Sequence, residues 1–137
     1  MISSENIKSA SITIAVDPGS TGDFPVLRAP RNLTVKAAYA ISKNAQNAGT
    51  AVLLTLANWG TAGTAVKSGG TVVAALGGTA SAARLSATVP AAGTVDTAQD
   101  YIAEGEWLVL QYTEEGTGWI SGDRFVYQVD FVLGLGA

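Results

Sequence analysis

Residues 124–133 read RFVYQVDFVL, and this stretch decides the fold class. Large apolar side chains occupy every second position: Phe125, Tyr127, Val129, Phe131 and Leu133. Gln128 and Asp130 lie between Val126 and Val132 on the alternate positions. Side chains on a β-strand point to opposite faces with a period of two, so the pattern predicts a long strand with one buried face.

The same period recurs upstream of this stretch, and helical periodicity is nearly absent. Residues 51–57, AVLLTLA, are a short apolar run flanked by Gly49 and Gly60, which favours a buried strand over a helical turn. Further strands are predicted at 11–16, 24–28, 33–41, 71–76, 84–89 and 106–113. About eight strands with long crossovers indicate an all-β chain, a jelly-roll-like antiparallel β-sandwich, with an immunoglobulin-like sandwich as the alternative.

Two central segments carry more specific expectations. The run LTVKAAYAI predicts a half-buried strand with one side formed by Leu33, Val35, Ala37, Tyr39 and Ile41. Residues 90–103 have no clear period, which predicts a surface excursion.

The chain has 137 residues, the usual size of one domain. We expect residues 1–10 to form an N-terminal arm and residues 11–137 a single β-sandwich domain. The first residues lack the basic and apolar regions of a signal peptide, and no apolar run is long enough to span a bilayer. The expectation is a protein made in a cytoplasm, with no membrane partner.

Composition restricts the chemistry. The chain contains no cysteine and no histidine, which excludes disulfides, thiolate and imidazole metal sites, and the catalytic triads that use histidine. The net charge is -3, with 8 Lys+Arg against 11 Asp+Glu, so the chain lacks the clustered cations that bind nucleic acid. We expect no enzyme, no cofactor and no nucleic-acid partner.

Apolar residues make up 47% of the chain and charged residues 14%, against about 25% charged in an average domain. One domain of this size cannot bury all of its alanine, valine and leucine in its own core. The surplus favours coverage of part of the surface by other subunits or by another protein. The alternative is a surface rich in small residues, which proteins tolerate in contact with water.

Residues 111–125, QYTEEGTGWISGDRF, join the last two strands. Gly116 and Gly118 supply a tight reversal, so the sequence predicts a hairpin loop. Glu114 and Glu115 are neighbours on this turn, whereas the two carboxylates of a glycosidase face each other across a cleft. Trp119, beside the turn, is a candidate contact residue at an interface or a core residue of the next strand.

Other apparent motifs are weak. Residues 60–68 end in Lys-Ser like a phosphate-binding loop, but Val66 stands where that motif needs glycine. The pairs Asp17 with Asp23 and Asp96 with Asp100 bracket loops without the dense oxygen ligands of a calcium site. We therefore expect no metal.

A resemblance follows from the last third of the chain. Residues 102–134, IAEGEWLVLQYTEEGTGWISGDRFVYQVDFVLG, resemble the C-terminal hairpin of small β-sandwich head decoration, or cement, proteins and head-fibre bases of tailed bacteriophages. A strand start at residues 104–106 and a Gly-x-Gly loop at 116–118 carry it, and the upstream strands LTVKAAYAI and AVLLTLANWG fit the same plan.

The resemblance implies an accessory virion protein that stabilises the shell by binding the outer surface of an assembled capsid. Such proteins are commonly homotrimers at three-fold or quasi-three-fold positions, with the major capsid protein as partner. The N-terminal arm or the loop 17–23 would then face the capsid. The interface candidates are Asp17, Asp23, Trp59 and Trp119.

Three other functions fit parts of the sequence. A carbohydrate-binding jelly roll would use Trp59, Trp119, Tyr101 and Tyr112 as stacking faces. A tail or baseplate component would be structural with a different symmetry. A hydrolase would need distant carboxylates, such as Asp23 and Glu106, to converge in a cleft.

Overall fold

The computed structural model describes residues 6–15, 21–42, 50–61, 70–76, 91–116 and 124–134. Within these ranges the chain forms β-strands and no helix, which confirms the all-β prediction. The strands are β1 (Ile7–Ala15), β2 (Thr21–Arg28), β3 (Leu33–Ser42), β4 (Thr50–Asn58), β5 (Thr71–Leu76), β6 (Ala91–Ala92), β7 (Thr94–Val95), β8 (Tyr101–Ile102), β9 (Trp107–Gly116) and β10 (Arg124–Leu133). No helix in this part of the chain is long and apolar enough to cross a membrane.

The strands form two antiparallel sheets that pack as a sandwich. The first sheet has the order β1-β10-β3, and β6 and β8 pair with two different stretches of β3. The second sheet has the order β2-β9-β4-β5-β7. Successive long strands alternate between the sheets at both ends of the chain, as in a jelly roll. An immunoglobulin fold keeps its first two strands in one sheet, whereas β1 and β2 lie in different sheets.

The predicted hairpin between the last two strands is wrong. β9 pairs with β2 and β4 in the second sheet, and β10 pairs with β1 and β3 in the first, so the two strands belong to different sheets. Each strand already has a neighbour on both sides, which leaves no edge for mutual pairing. Glycines in a turn indicate a reversal, but they do not determine whether the flanking strands pair with each other.

The predicted face of β3 is correct only in its first half. Pairing with β10 runs from Asp130 opposite Ala37 to Phe131 opposite Val35, so the register skips Lys36 in a β-bulge. One extra residue reverses the phase of every later side chain. Leu33 and Val35 are buried as expected, but after the bulge the buried residues are Ala38, Ala40 and Ser42.

Residues 91–102 connect the two sheets along one side of the sandwich. β6 and β8 pair with β3 of the first sheet, while β7 pairs with β5 of the second. Between them, the Gly93 N–H donates to the Ala38 carbonyl at 2.8 Å. The segment that the sequence predicted as a surface excursion therefore contains three short ladders. The predicted strand at 84–89 lies outside the described residues.

The core lies between the sheets and contains large side chains from both. Tyr112 of the second sheet packs against Phe125 of the first, with ring centroids 5.1 Å apart and an interplanar angle of 43°. Such aromatic pairs add about 0.5–1.5 kcal/mol beyond the burial of their surface. Tyr127 is also in the core, and its burial raises the pKa of the phenol well above the ordinary value because the ionised form loses its water.

The first strand begins at Ile7, four residues before the domain boundary expected at residue 11. It pairs with β10 without a register shift, from Ile7 opposite Val132 to Ala15 opposite Arg124. Residues 7–10 are thus part of the sheet, and residues 1–5 lie outside the described residues.

Candidate interaction surface

The outer face of the first sheet is shaped by the bulge at Lys36. After the phase change, Tyr39 and Ile41 of β3 point outward beside Val126 and Gln128 of β10. These four side chains are half-buried although they face away from the core. The bulge therefore moves an aromatic and a branched apolar side chain from the expected core face to the surface.

Together these residues line a shallow apolar cleft of about 290 Å³, which we call the Tyr39 cleft. Its walls are Tyr39, Ala40, Ile41, Val126 and Gln128. Ala40 is buried, and the remaining residues combine one amide with three apolar side chains. A concave apolar site with few polar groups is the usual form of a surface that binds another molecule.

A polar cluster lies next to the Tyr39 cleft on the same face. Ser9 Oγ donates to Asp130 Oδ1 at 2.6 Å, and Gln128 Nε2 donates to the same oxygen at 2.9 Å. Gln128 Nε2 also lies 3.5 Å from Ser9 Oγ. These bonds satisfy one oxygen of the Asp130 carboxylate and hold the Gln128 amide at the rim of the cleft.

The outer face of the second sheet has a different organisation. Ala57, Trp59 and Val109 form a small buried cluster there, with Trp107 half-buried against it. The Trp59 side chain is only 3% exposed, and its Nε1 is buried without an acceptor among the described residues. The backbone of Gly70 lies against the indole, since a Cβ added at Gly70 would be 2.5 Å from Trp59 Cδ1. This face is thus partly closed by the chain itself.

The four interface candidates from the sequence do not lie together in the described structure. Asp17 and Trp119 lie outside the described residues. Asp23 is exposed on β2, opposite Gln111 of β9, and Trp59 is buried at the end of β4. Both are on the outer face of the second sheet, but β9 separates their strands, so they do not form one site.

The aromatic residues expected to stack on a sugar do not form a groove in the described part of the chain. Tyr112 and Trp59 are 2% and 3% exposed, and Tyr101 is half-buried on β8 in the other sheet. Tyr39 is the aromatic residue at the cleft, and the sequence reasoning assigned it to the core side of β3. The sequence did contain one warning, the adjacent Ala37 and Ala38. Because both side chains are small and apolar, either one can face the core, so the pattern does not determine which side of β3 the later residues occupy.

The carboxylates considered for chemistry have structural partners or separate positions. Glu106 Oε1 accepts the Ala103 N–H at 2.7 Å in the turn before β9, whereas Asp23 is on the edge strand β2. Asp96 Oδ1 accepts the Ala98 N–H at 3.0 Å and closes a turn of its own. No group of three or more potential metal ligands occurs within the described residues.

Comparison with known proteins supports the fold. No family model matches the chain, and no curated protein matches it. Among solved structures, the chain is similar to a chain of the cyanophage Pam1 capsid asymmetric unit. The TM-score is 0.52 at 19% sequence identity, and the match covers 95% of this chain and 86% of that chain. At this identity the likeness shows a shared fold.

Proposed function

We propose that this chain is a non-enzymatic structural protein of a tailed-bacteriophage virion. In this proposal it binds the outer surface of the assembled capsid, after assembly in the host cytoplasm, and stabilises the shell. The observation that carries the proposal is the shared fold, over 95% of the chain, with a component of a phage capsid asymmetric unit.

The surface of the sandwich supports a binding role. The outer face of the first sheet carries the apolar Tyr39 cleft, and its one carboxylate on β10, Asp130, accepts two hydrogen bonds from neighbours. Interfaces are depleted of charged residues at their centre, and the residues that line the Tyr39 cleft carry no charge. The exposed Lys36 and Arg124 lie outside the cleft, at the bulge and at the start of β10. A low content of charge over the whole chain fits the same purpose.

The proposed mechanism of stabilisation is mass action. A protein that binds the assembled lattice more tightly than an open one shifts the equilibrium toward the assembled state by its difference in affinity. We propose a homotrimer at three-fold or quasi-three-fold positions, because three copies would then contact several capsid subunits at once. The proposed element that contacts the major capsid protein is the segment 17–23, predicted from the sequence as a loop, whose residues 21–23 begin β2 and include the exposed Asp23.

The test uses expanded phage heads produced without this chain. Purified chain is added, bound and free material are separated by sedimentation, and the temperature at which the heads release DNA is measured. We expect saturable binding and a higher release temperature. Binding to purified tails in place of heads would assign the chain to the tail, and binding to neither would overturn the proposal.

A further inference from the structure

The described residues contain two exposed large hydrophobic side chains, and one of them is on the same face as the Tyr39 cleft. Ile7 is 59% exposed and Val72 is 44% exposed. Ile7 pairs with Val132, and Val132 is in the alternate set of β10 with Val126 and Gln128. Ile7 therefore points outward from the first sheet, as the cleft does.

We infer that the chain self-associates through this face, with Ile7 of one copy inserted into the Tyr39 cleft of the next copy. The inference rests on the homotrimer of the proposed function and specifies its contact. Repeated head to tail, a contact between Ile7 and the cleft of the next copy forms a closed ring when the rotation permits, whereas a two-fold arrangement of the same contact stops at a dimer.

The surface between Ile7 and the cleft permits close approach of a second copy. The other side chains that β1 directs outward are the small hydroxyl residues Ser9, Ser11 and Thr13. Ser9 donates to Asp130, so the carboxylate on this path already has two donors. Ser9, Ser11 and Thr13 carry no charge that would have to lose its water when the two faces meet.

The dimensions of the face determine how the association is measured. The distance between Ile7 and the cleft can be read along β1. Thr13 is opposite Val126 of the cleft and lies six residues after Ile7, so the two positions are about 20 Å apart. Strands β1, β10 and β3 together present a face roughly 14 Å wide and 30 Å long. Two such faces in full contact would bury roughly 800 Å² in total, which is less than the roughly 1,200–2,000 Å² of stable interfaces. We therefore expect a weak association that depends on protein concentration.

The first experiment compares Ile7→Lys with Val72→Lys by light scattering after size exclusion, over a wide range of concentration. We expect the wild-type chain and Val72→Lys to form trimers, and Ile7→Lys to need a roughly tenfold or greater concentration because a buried apolar anchor is lost. Ile7→Thr keeps the branched β-carbon that suits a strand, so it tests the contact if the lysine variant folds poorly.

A mixing experiment tests the direction of the contact. Ile41→Lys blocks the cleft but leaves Ile7, and Ile7→Lys does the reverse. At a concentration where the wild-type chain is just trimeric, each variant alone should be monomeric. An equimolar mixture should then form a one-to-one dimer and nothing larger, because only one of the two possible contacts is intact. Trimers of Ile7→Lys that match the wild type would overturn the inference while leaving the proposed function in place.

A wild-type chain that is monomeric throughout would also overturn the inference. Binding of that monomer to phage heads would still decide the proposed function separately.

Discussion

The two outer faces of the sandwich differ in whether the chain itself covers their apolar side chains. On the second sheet, Trp59 covers Ala57 and Val109, and Gly70 packs against its indole. On the first sheet, Tyr39 and Ile41 line a cleft that no described residue fills. An apolar surplus in a sequence can thus become an extra cluster within one chain or a surface for another, and burial distinguishes the two.

The largest expected effect tests the bulge that creates this difference. We predict that Ala38→Asp lowers the free energy of unfolding by about 4 kcal/mol or more, because it places an unpaired charge in the core. The adjacent Ala37→Asp, on the half-buried outer side, should cost only about 1–2 kcal/mol, because its carboxylate stays in contact with water but lies opposite Asp130. Urea unfolding measures both. A larger loss for Ala37→Asp than for Ala38→Asp would mean that β3 has the phase predicted from the sequence.

The next effect tests the closed face. Trp59→Ala should lower the free energy of unfolding by about 3–5 kcal/mol, as for other large aromatic residues that are removed from a packed cluster. Trp59→Phe should cost much less, because Nε1 has no acceptor among the described residues and little hydrogen bonding is lost. Denaturant unfolding of both variants checks this. If Trp59→Ala were nearly as stable as the wild type, the packing of Trp59 against Ala57 and Val109 would not contribute to stability.

Gly70 provides a smaller test of the same closure. Its φ is 60°, and an added Cβ would lie 2.5 Å from Trp59 Cδ1 and 2.8 Å from the Asn58 carbonyl oxygen. We predict a loss of about 2–3 kcal/mol for Gly70→Ala, measured as a shift in the urea midpoint.

The matched control for Gly70 is Gly134→Ala. Gly134 also has positive φ, 78°, but nothing lies within 4 Å of its added Cβ. Its loss should be about 1 kcal/mol and reports the backbone strain alone. Similar losses of stability at both glycines would mean that close packing of Gly70 against Trp59 adds nothing to the cost of backbone strain.

The smallest effect concerns the open face. Ser9→Ala should lower the free energy of unfolding by about 0.5–1.5 kcal/mol, because the hydroxyl donates to Asp130 at 2.6 Å. Ser11→Ala is the control on the same strand and face, and we expect no measurable change there. Thermal unfolding of the pair at equal protein concentration separates the two. An equal loss of stability in Ser11→Ala would mean that any serine-to-alanine change on β1 is destabilising and that the hydrogen bond to Asp130 is not the cause.

Much of the fold could be predicted from period-two patterns. The alternation in β10 is confirmed, since Phe125, Tyr127, Val129 and Phe131 are all buried. The predictions that were wrong, such as the phase of β3, depend on interactions between residues that are distant in sequence. The bulge at Lys36 is defined by its register with Asp130 and Phe131, and nothing near Lys36 in the sequence specifies that register.

The candidate surface was harder to predict for the same reason. Tyr39 and Ile41 change sides because of the bulge, and Ile7 belongs to a strand that the sequence pattern began at residue 11. Trp59 was expected at an interface or as a stacking face for a sugar, but its surroundings come from β9 and Gly70. Local sequence identified the strands, whereas pairing across the chain determined which side chains remain at the surface.

The strand order also has a consequence for how the chain folds. β10 lies between β1 and β3, and β9 lies between β2 and β4, so one interior strand of each sheet comes from the last quarter of the described chain. A nascent chain that emerges from the N-terminus has made four long strands before either central partner exists. Contacts so distant in sequence form slowly. We therefore expect the Leu-rich β4 to need protection from aggregation until synthesis is complete.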